Sequence, residues 1–544
     1  ENTIENKYLS VKVNENGDIC SIYDKTLGKE LLSAPIREEI FEDNSTVWPS
    51  WEYNFDDLQK TPATLKGEVS VEALDQRPVS VGLKITVKAG ASVYNKTLTL
   101  EKDKKGLLID ATTDWHERNS LLTIKFPFSA ENEKALFDGD LGAELGENTN
   151  TYPYFIHNMH KWADLTDKSG AYGITVANDC KYAAAKPDNN SLSFVLIHTP
   201  KDNYMPASGQ DFQDMGYNRY SFYVQAHEGA DPAVNSAVAL NNSVLAYEVE
   251  KHTGNKTAIS LIDEMPEGVE IRAIKKAEDS SSVIIRLQES LAKEHKGVKI
   301  KLNGCKINRA VTCNGYEQEK EGDIKVEDGA VVIDIAKYGV MTLKLDVEYL
   351  EKTSVKNKTR SIALDYDLDV VCATGEEKAE QGIYIPSELY PSTIKSCSVE
   401  YTLSHGKLGA LASKGQAIQL DKGYNKLKIL AAVKNDPKTV RFKVEGEEKS
   451  LKISSFTGFV GSREMVVNGS GNKNTEDEIA YVVTHTKNEK GEDRVYDFAY
   501  IFAYELETNG AEKITLPVDP DLMIFAMTQV DSNDVKALTP IFDV

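Results

Sequence analysis

Residues 110–128, DATTDWHERNSLLTIKFPF, decide the fold. Their second half, Leu121-Leu122-Thr123-Ile124-Lys125-Phe126, alternates with the two-residue period of a strand that buries one face. Pro127 closes it, because proline has no N–H to give a central ladder. The first half gathers Asp114, His116, Glu117 and Arg118 around Trp115, just before that strand. Charge crowded about one indole at a strand's start predicts a sheet corner or the rim of a cleft.

The same period recurs in both directions. Residues 8–13 (YLSVKV) and 19–24 (ICSIYD) alternate on either side of turn chemistry at 14–18, which predicts a hairpin. Alternating runs return at 68–74, 79–88, 92–100, 192–198 and 219–225, whereas 35–66 and 131–150 lose the period and read as irregular. Short strands at 259–262, 269–274, 283–287, 297–302, 330–335 and 340–347, spaced by turn signals, suit a smaller sandwich. Strands resume at 424–433, 440–444, 479–485, 496–506 and 522–527. The polar stretch 351–360 (EKTSVKNKTR) predicts a linker, and Gly/Asn/Ser-rich 468–478 a loop. With no long helical period and no internal repeat, the chain reads as all-β in three modules: 1–240, 241–350 and 351–544.

A formal net charge of -22 argues against nucleic acid or an anionic membrane as partner, since both select a positive face. No apolar run reaches the roughly 18–20 residues of a membrane span, and no signal peptide is visible. Glu1 rather than methionine opens the chain, which points to processing or to a piece of a longer protein. Six cysteines without a CxxC fit free thiols in a reducing, cytoplasmic compartment better than a disulfide scaffold. His157 and His160 form an HxxH without a third ligand at a sensible spacing, so no metal site is predicted.

Nucleotide loops and GxSxG are absent. The local carboxylate candidates are Asp114 with Glu117, Asp211 with Asp214, and Glu228 beside His227, each also explained by a structural ion pair or cap. Trp48, Trp51 and Tyr53, within an irregular segment, are the stronger ligand clue: sugars present C–H faces that stack on aromatic rings. An aromatic plug under a loop is the plain alternative.

The succession NKYLSV (6–11), GDICSIYDK (17–25), WEY (51–53), DWHE (114–117), WADLTD (162–167), DMGYN (214–218) and AHEG (226–229) resembles the C-terminal half of glycoside hydrolase family 38 α-mannosidases. IIRLQE (284–289) is similar to a motif of their following β domain. The segments 384–391, 415–418 and 500–504 resemble an extension on some large bacterial members, with Tyr384, Glu388 and Gln416 as further candidates. Asn218 stands where the family often has histidine, and Ser50 where an aspartate precedes the tryptophan.

The resemblance implies a large galactose-mutarotase-like super-sandwich, a small β-sandwich and a C-terminal β-sandwich or jelly-roll-like module. It implies a non-catalytic portion of an enzyme hydrolysing terminal α-D-mannosyl residues. The zinc, the nucleophile and the acid/base would belong to the family's N-terminal barrel, so no catalytic residue, metal ligand or cofactor is assigned to this chain. The candidate carbohydrate contacts are Trp48, Trp51, Tyr53, Asp214 and His227. The implied partners are a mannose-containing oligosaccharide, the enzyme's own catalytic domain and, as a further option, a second copy of the chain. A free-standing carbohydrate-binding protein is the alternative; a complete enzyme of mutarotase-like chemistry, using a histidine and a glutamate, is a third.

Overall fold

In a computed structural model, residues 110–128 form parts of two strands in two different sheets. The structure describes residues 2–537 except 46–47, 76, 140, 153–155, 201–212, 250–257, 264, 351–357, 397–398, 458–476, 496 and 532–534. Asp211, most of the linker expected at 351–360 and nearly all of the loop expected at 468–478 lie outside the described residues.

Leu107–Trp115 alternates buried and half-buried positions, as a strand with one face in a core must. It belongs to a nine-stranded antiparallel sheet between Ser92–Glu101 and Gly216–Glu228. Asn119 takes a left-handed conformation (φ 52°), and Ser120–Pro127 then enters a six-stranded sheet between Arg37–Glu42 and Ser191–Thr199. The charged corner is tied to both sheets. Ser92 Oγ donates to Glu117 Oε1 at 3.0 Å and accepts from the His116 N–H, while Thr199 Oγ1 donates to the Glu117 carbonyl at 2.7 Å. Trp115 is fully buried, so the corner is a structural plug.

The core between the two sheets includes Leu98, Ile109, Ile124, Phe126, Phe194 and Phe222. Across it runs one ion pair. Lys96 Nζ lies 3.0 Å from Glu38 Oε1, with the two side chains 1% and 4% exposed. Lys96 comes from the nine-stranded sheet and Glu38 from the six-stranded one. The strand Arg37–Glu42 was invisible in the irregular reading of 35–66 because its inward side chains are Glu38 and Ile40, while Phe41 faces outward. Likewise, Lys134–Asp138 and Ala143–Glu147 pair at an edge of the nine-stranded sheet within the run read as irregular.

Val269–Lys276, Val283–Glu289, Val340–Tyr349, Cys305–Cys313 and Glu319–Asp323 make a five-stranded sheet, and His295–Ile300, Ala330–Ile335 and Val326–Glu327 a three-stranded one. Ile285, Leu343, Ile300 and Val331 share their core. Contacts group residues 1–243 and 254–353 into one unit, within which Lys161 Nζ donates to the buried Glu270 at 2.7 Å.

The second unit comprises 244–253 and 354–544. Its larger sheet centres on Val518–Asp531, Lys426–Val433 and Ala499–Glu507, and a four-stranded sheet contains Lys438–Val444 and Glu447–Ile453. Phe442, Ile453, Leu430, Phe502 and Ile524 lie in one continuous core.

Two predictions follow from this packing. Lys96→Met strands the Glu38 carboxylate in the core and should cost about 3–5 kcal/mol in denaturant unfolding, while adding Glu38→Leu should recover most of that loss. Residues 356–544, expressed alone, should melt in one cooperative transition, because their core is closed and about 180 residues suffice for one; an aggregated or non-cooperative product would contradict this.

Candidate functional site

After Glu42 the chain leaves the six-stranded sheet and is held by local hydrogen bonds. Asp43 Oδ1 accepts from Ser45 N, and Asp57 accepts from the Asn44 backbone at 2.8 Å and from its side chain at 3.1 Å. Trp48 adopts φ 53°, and its carbonyl accepts from the N–H groups of Trp51 and Glu52. That tight turn stacks the two indoles, with centroids 5.0 Å apart and planes at 16°. They stay in solvent, Trp48 41% and Trp51 77% exposed, which excludes a core plug for both.

Tyr53 packs its ring 4.7 Å from the imidazole of His198, the penultimate residue of Ser191–Thr199. His198 Nε2 lies 2.9 Å from the buried Asp43 carboxylate, and its backbone N–H donates to Asp214 Oδ2 at 3.2 Å. Asp214 is left-handed (φ 56°), and Asn218 donates to its carbonyl at 2.9 Å. Burial, reinforced by the charges of Asp214 and Asp43, pushes the Tyr53 phenol up to about 12, so it remains a hydrogen-bond donor at neutral pH.

The fold thus brings Tyr53 and Asp214 together through His198 and Asp43, two residues that sequence reasoning did not single out. Their available signal was a polar residue at the end of an apolar strand (His198) and an acidic one just past another strand (Asp43). An imidazole fixed by a carboxylate, a neutral phenol, a second carboxylate and an exposed aromatic platform together suit a polyhydroxylated ligand.

The other candidates sit elsewhere. His227 is at the far end of Gly216–Glu228, a 13-residue strand, about 40 Å from Asp214 at roughly 3.3 Å per residue. Its Nε2 lies 2.9 Å from Asp164 Oδ1, which also accepts from Thr175 at 2.6 Å, and Glu228 is exposed. Gly173 leaves room for the imidazole, since a Cβ there would come within 2.6 Å of it. Asp114 pairs with His116 at 2.9 Å, and Glu117 holds the corner. His157 stacks on Phe137 and bonds the Glu147 carbonyl, while His160 sits edge-on to Tyr182, so the HxxH pair is packed apart.

In the second unit Tyr384 donates to the Glu380 carbonyl and Gln416 bridges Lys414 N and the Ala412 carbonyl, both structural contacts. Among the described residues one group, Glu388, His485 and Asp493, has three-ligand spacing. Lys487, fully buried, already pairs with both carboxylates, so this donor set does not fit a zinc ion.

Residues 4–204 match the model described as "Glycosyl hydrolases family 38 C-terminal domain", and 268–343 match "Glycosyl hydrolases family 38 C-terminal beta sandwich domain". Two stretches of the chain thus carry the signature of the glycoside hydrolase family 38 C-terminal region. It is similar to alpha-mannosidase G of Dictyostelium discoideum, 25% identical over 305 residues, which are 53% of this chain and 27% of that protein. Two solved structures share its fold: a family 38 glycosyl hydrolase from Enterococcus faecalis (14% identity, TM-score 0.52, 63% of this chain and 44% of that one) and an alpha-mannosidase from Enterococcus faecalis V583 (14%, 0.53, 63% and 42%). The chain therefore spans less than half of the length of these relatives. Residues 357–533 match an "AziU2-like beta-sandwich domain".

His227 gives a pH prediction. Burial disfavours the imidazolium, but the hydrogen bond and charge of Asp164 outweigh it, and the pKa lies above the ordinary 6.5. A raised folded-state pKa means that this stabilisation is complete below the unfolded value and disappears as pH rises through the folded one. The melting-temperature gap between wild type and His227→Gln should therefore be widest below about pH 6 and narrow on the alkaline side.

Proposed function

We infer that the first unit walls the sugar cleft of a family 38 α-mannosidase that removes terminal α-D-mannosyl residues. The observation carrying this reading is the exposed Trp48–Trp51 stack in the turn that leads to Tyr53, His198 and Asp214. A pyranose lays its C–H face on such rings and offers its hydroxyls to the neighbouring carboxylate and phenol.

Bond cleavage falls to a zinc-dependent N-terminal domain, this unit's covalent partner. Retaining hydrolysis sets two carboxylates about 5 Å apart, one as nucleophile and one as acid/base. The contribution made here is to orient the mannose-containing oligosaccharide, which lowers KM more than it raises kcat. An acidic chain with a net charge of -22 has no use for nucleic acid or an anionic membrane. The five described cysteines are all free, which suits the reducing cytoplasm, and no helix among the described residues is long and apolar enough to cross a membrane.

The test is an aryl α-mannoside assay on this chain alone and on the chain joined to its catalytic domain. The chain alone should be inert and the joined protein active. In the joined protein, Trp51→Ala should raise KM roughly five-fold, for about 1 kcal/mol of lost stacking, with kcat little changed. Turnover by the chain alone would overturn the reading.

A further inference from the structure

The outer face of the six-stranded sheet carries a second recess, separate from the aromatic platform. Along Arg37–Glu42, Ser120–Pro127 and Ser191–Thr199, residues alternate between the sandwich core and this face. Glu39, Phe41, Leu121, Thr123, Lys125 and Ser193 point outward, and Leu58, Gln59, Lys60 and Pro62 supply part of the remaining lining. The space between them is about 260 Å³. Trp48, Trp51, Tyr53 and Asp214 do not line it.

Two polar groups there lack partners. Ser193 is only 7% exposed, and among the described residues its hydroxyl has no hydrogen bond. The Glu39 carboxylate, partly buried, has neither ion pair nor hydrogen bond among the described residues. Burial raises its pKa, against the opposing charges of Lys125 and Arg37. Lys125 reaches Asp188 only at 3.4 Å and keeps hydrogen-bonding capacity to spare. Neither the Ser193 hydroxyl nor the Glu39 carboxylate is sealed from water, so a ligand's hydroxyls would replace solvent on them at little cost. Beside them stand the Phe41 ring and the Leu121 side chain, an apolar surface without hydrogen-bonding demands.

We propose that this recess is a second binding site, for one neutral sugar ring. Glu39 is opposed by Lys125, while the second lysine of the lining, Lys60, is already paired with Asp57, so neither an anion nor a cation is favoured. Glu39 accepts from ligand hydroxyls, Lys125 donates, and Ser193 does either, while the apolar C–H face rests on Phe41 and Leu121. The volume lies below the roughly 300–1,000 Å³ of drug-sized pockets, which selects a monosaccharide unit over an oligosaccharide. Twelve or so ligand atoms with this contact set give millimolar affinity.

The experiment titrates the full 544-residue chain with methyl α-D-mannopyranoside, methyl α-D-glucopyranoside and methyl β-D-galactopyranoside, by saturation-transfer NMR and calorimetry. At least one should bind saturably in the millimolar range. Trp51→Ala should leave that affinity within about two-fold, whereas Glu39→Gln, which keeps shape but removes charge-assisted acceptance, should weaken it at least roughly five-fold. Ser193→Trp, which fills the recess, should abolish it; if that variant misfolds, Glu39→Gln, checked by an unchanged melting curve, decides alone. The proposal is overturned if no glycoside saturates, if binding survives Glu39→Gln undiminished, or if Trp51→Ala removes it. The last result would put the binding on the platform and leave the cleft-wall reading standing.

Discussion

The Lys96–Glu38 pair crossing the core of the large sandwich is the constraint on which the surrounding arrangement rests. Two charges withdrawn from water cost several kcal/mol each, and their attraction offsets that only at contact distance. Glu38 therefore has to point inward, against Lys96, wherever its strand pairs. Because strand side chains alternate strictly, a slip of one residue would expose Ile40 to solvent and carry Phe41 into the core. The pair thereby sets which way Arg37–Glu42 faces, although hydrophobic content alone would have left that strand's register weakly specified.

That register has consequences on both sides of the sheet. Outward-facing Glu39 and Phe41 become part of the recess, and the chain emerging after Glu42 delivers Asp43 to His198. The opposite partner comes through the corner at Trp115–Ser120, where the chain passes from the nine-stranded to the six-stranded sheet. The Asn119 carbonyl accepts from Asp43 N–H, and Ser120 and Thr199 join hydroxyls at 2.9 Å. The aromatic turn at Trp48–Tyr53 is thus anchored at its base by buried polar contacts while its two indoles stay in solvent. Rigid support under an exposed ring pair is what ligand stacking needs, since ordering flexible rings on binding would cost entropy.

The second unit works differently. Its core is a continuous apolar surface, and its buried charge is settled locally: Lys487 lies between Glu388 and Asp493, and Lys426 faces Glu505 at 3.0 Å. The residues singled out there, Tyr384, Glu388 and Gln416, serve turns and ion pairs. Motifs that resemble a family mark folding requirements as readily as binding ones, and Tyr384, 6% exposed, is an example of the former.

Local order was legible from residues 1–544 without coordinates wherever one face of a strand is apolar and the other polar. Ser120–Pro127, Ser92–Glu101 and Gly216–Glu228 all declared themselves this way, and so did the all-β class and the succession of family 38 motifs. Aromatic density at Trp48 and Trp51 left a plug and an exposed platform both open, and the tertiary structure decided for exposure. Tertiary structure alone decided the rest. Arg37–Glu42 hid because its inward position is a glutamate whose partner lies 58 residues away. Asp43 and His198 lie 155 residues apart, and no spacing rule connects them. Asp214 and His227, close in sequence, are held far apart because the extended strand between them cannot fold back. Hydrophobic periodicity is local and survives in one dimension, but the pairing of buried charges and the convergence of polar groups depend on which strands become neighbours, which is a property of the whole sheet.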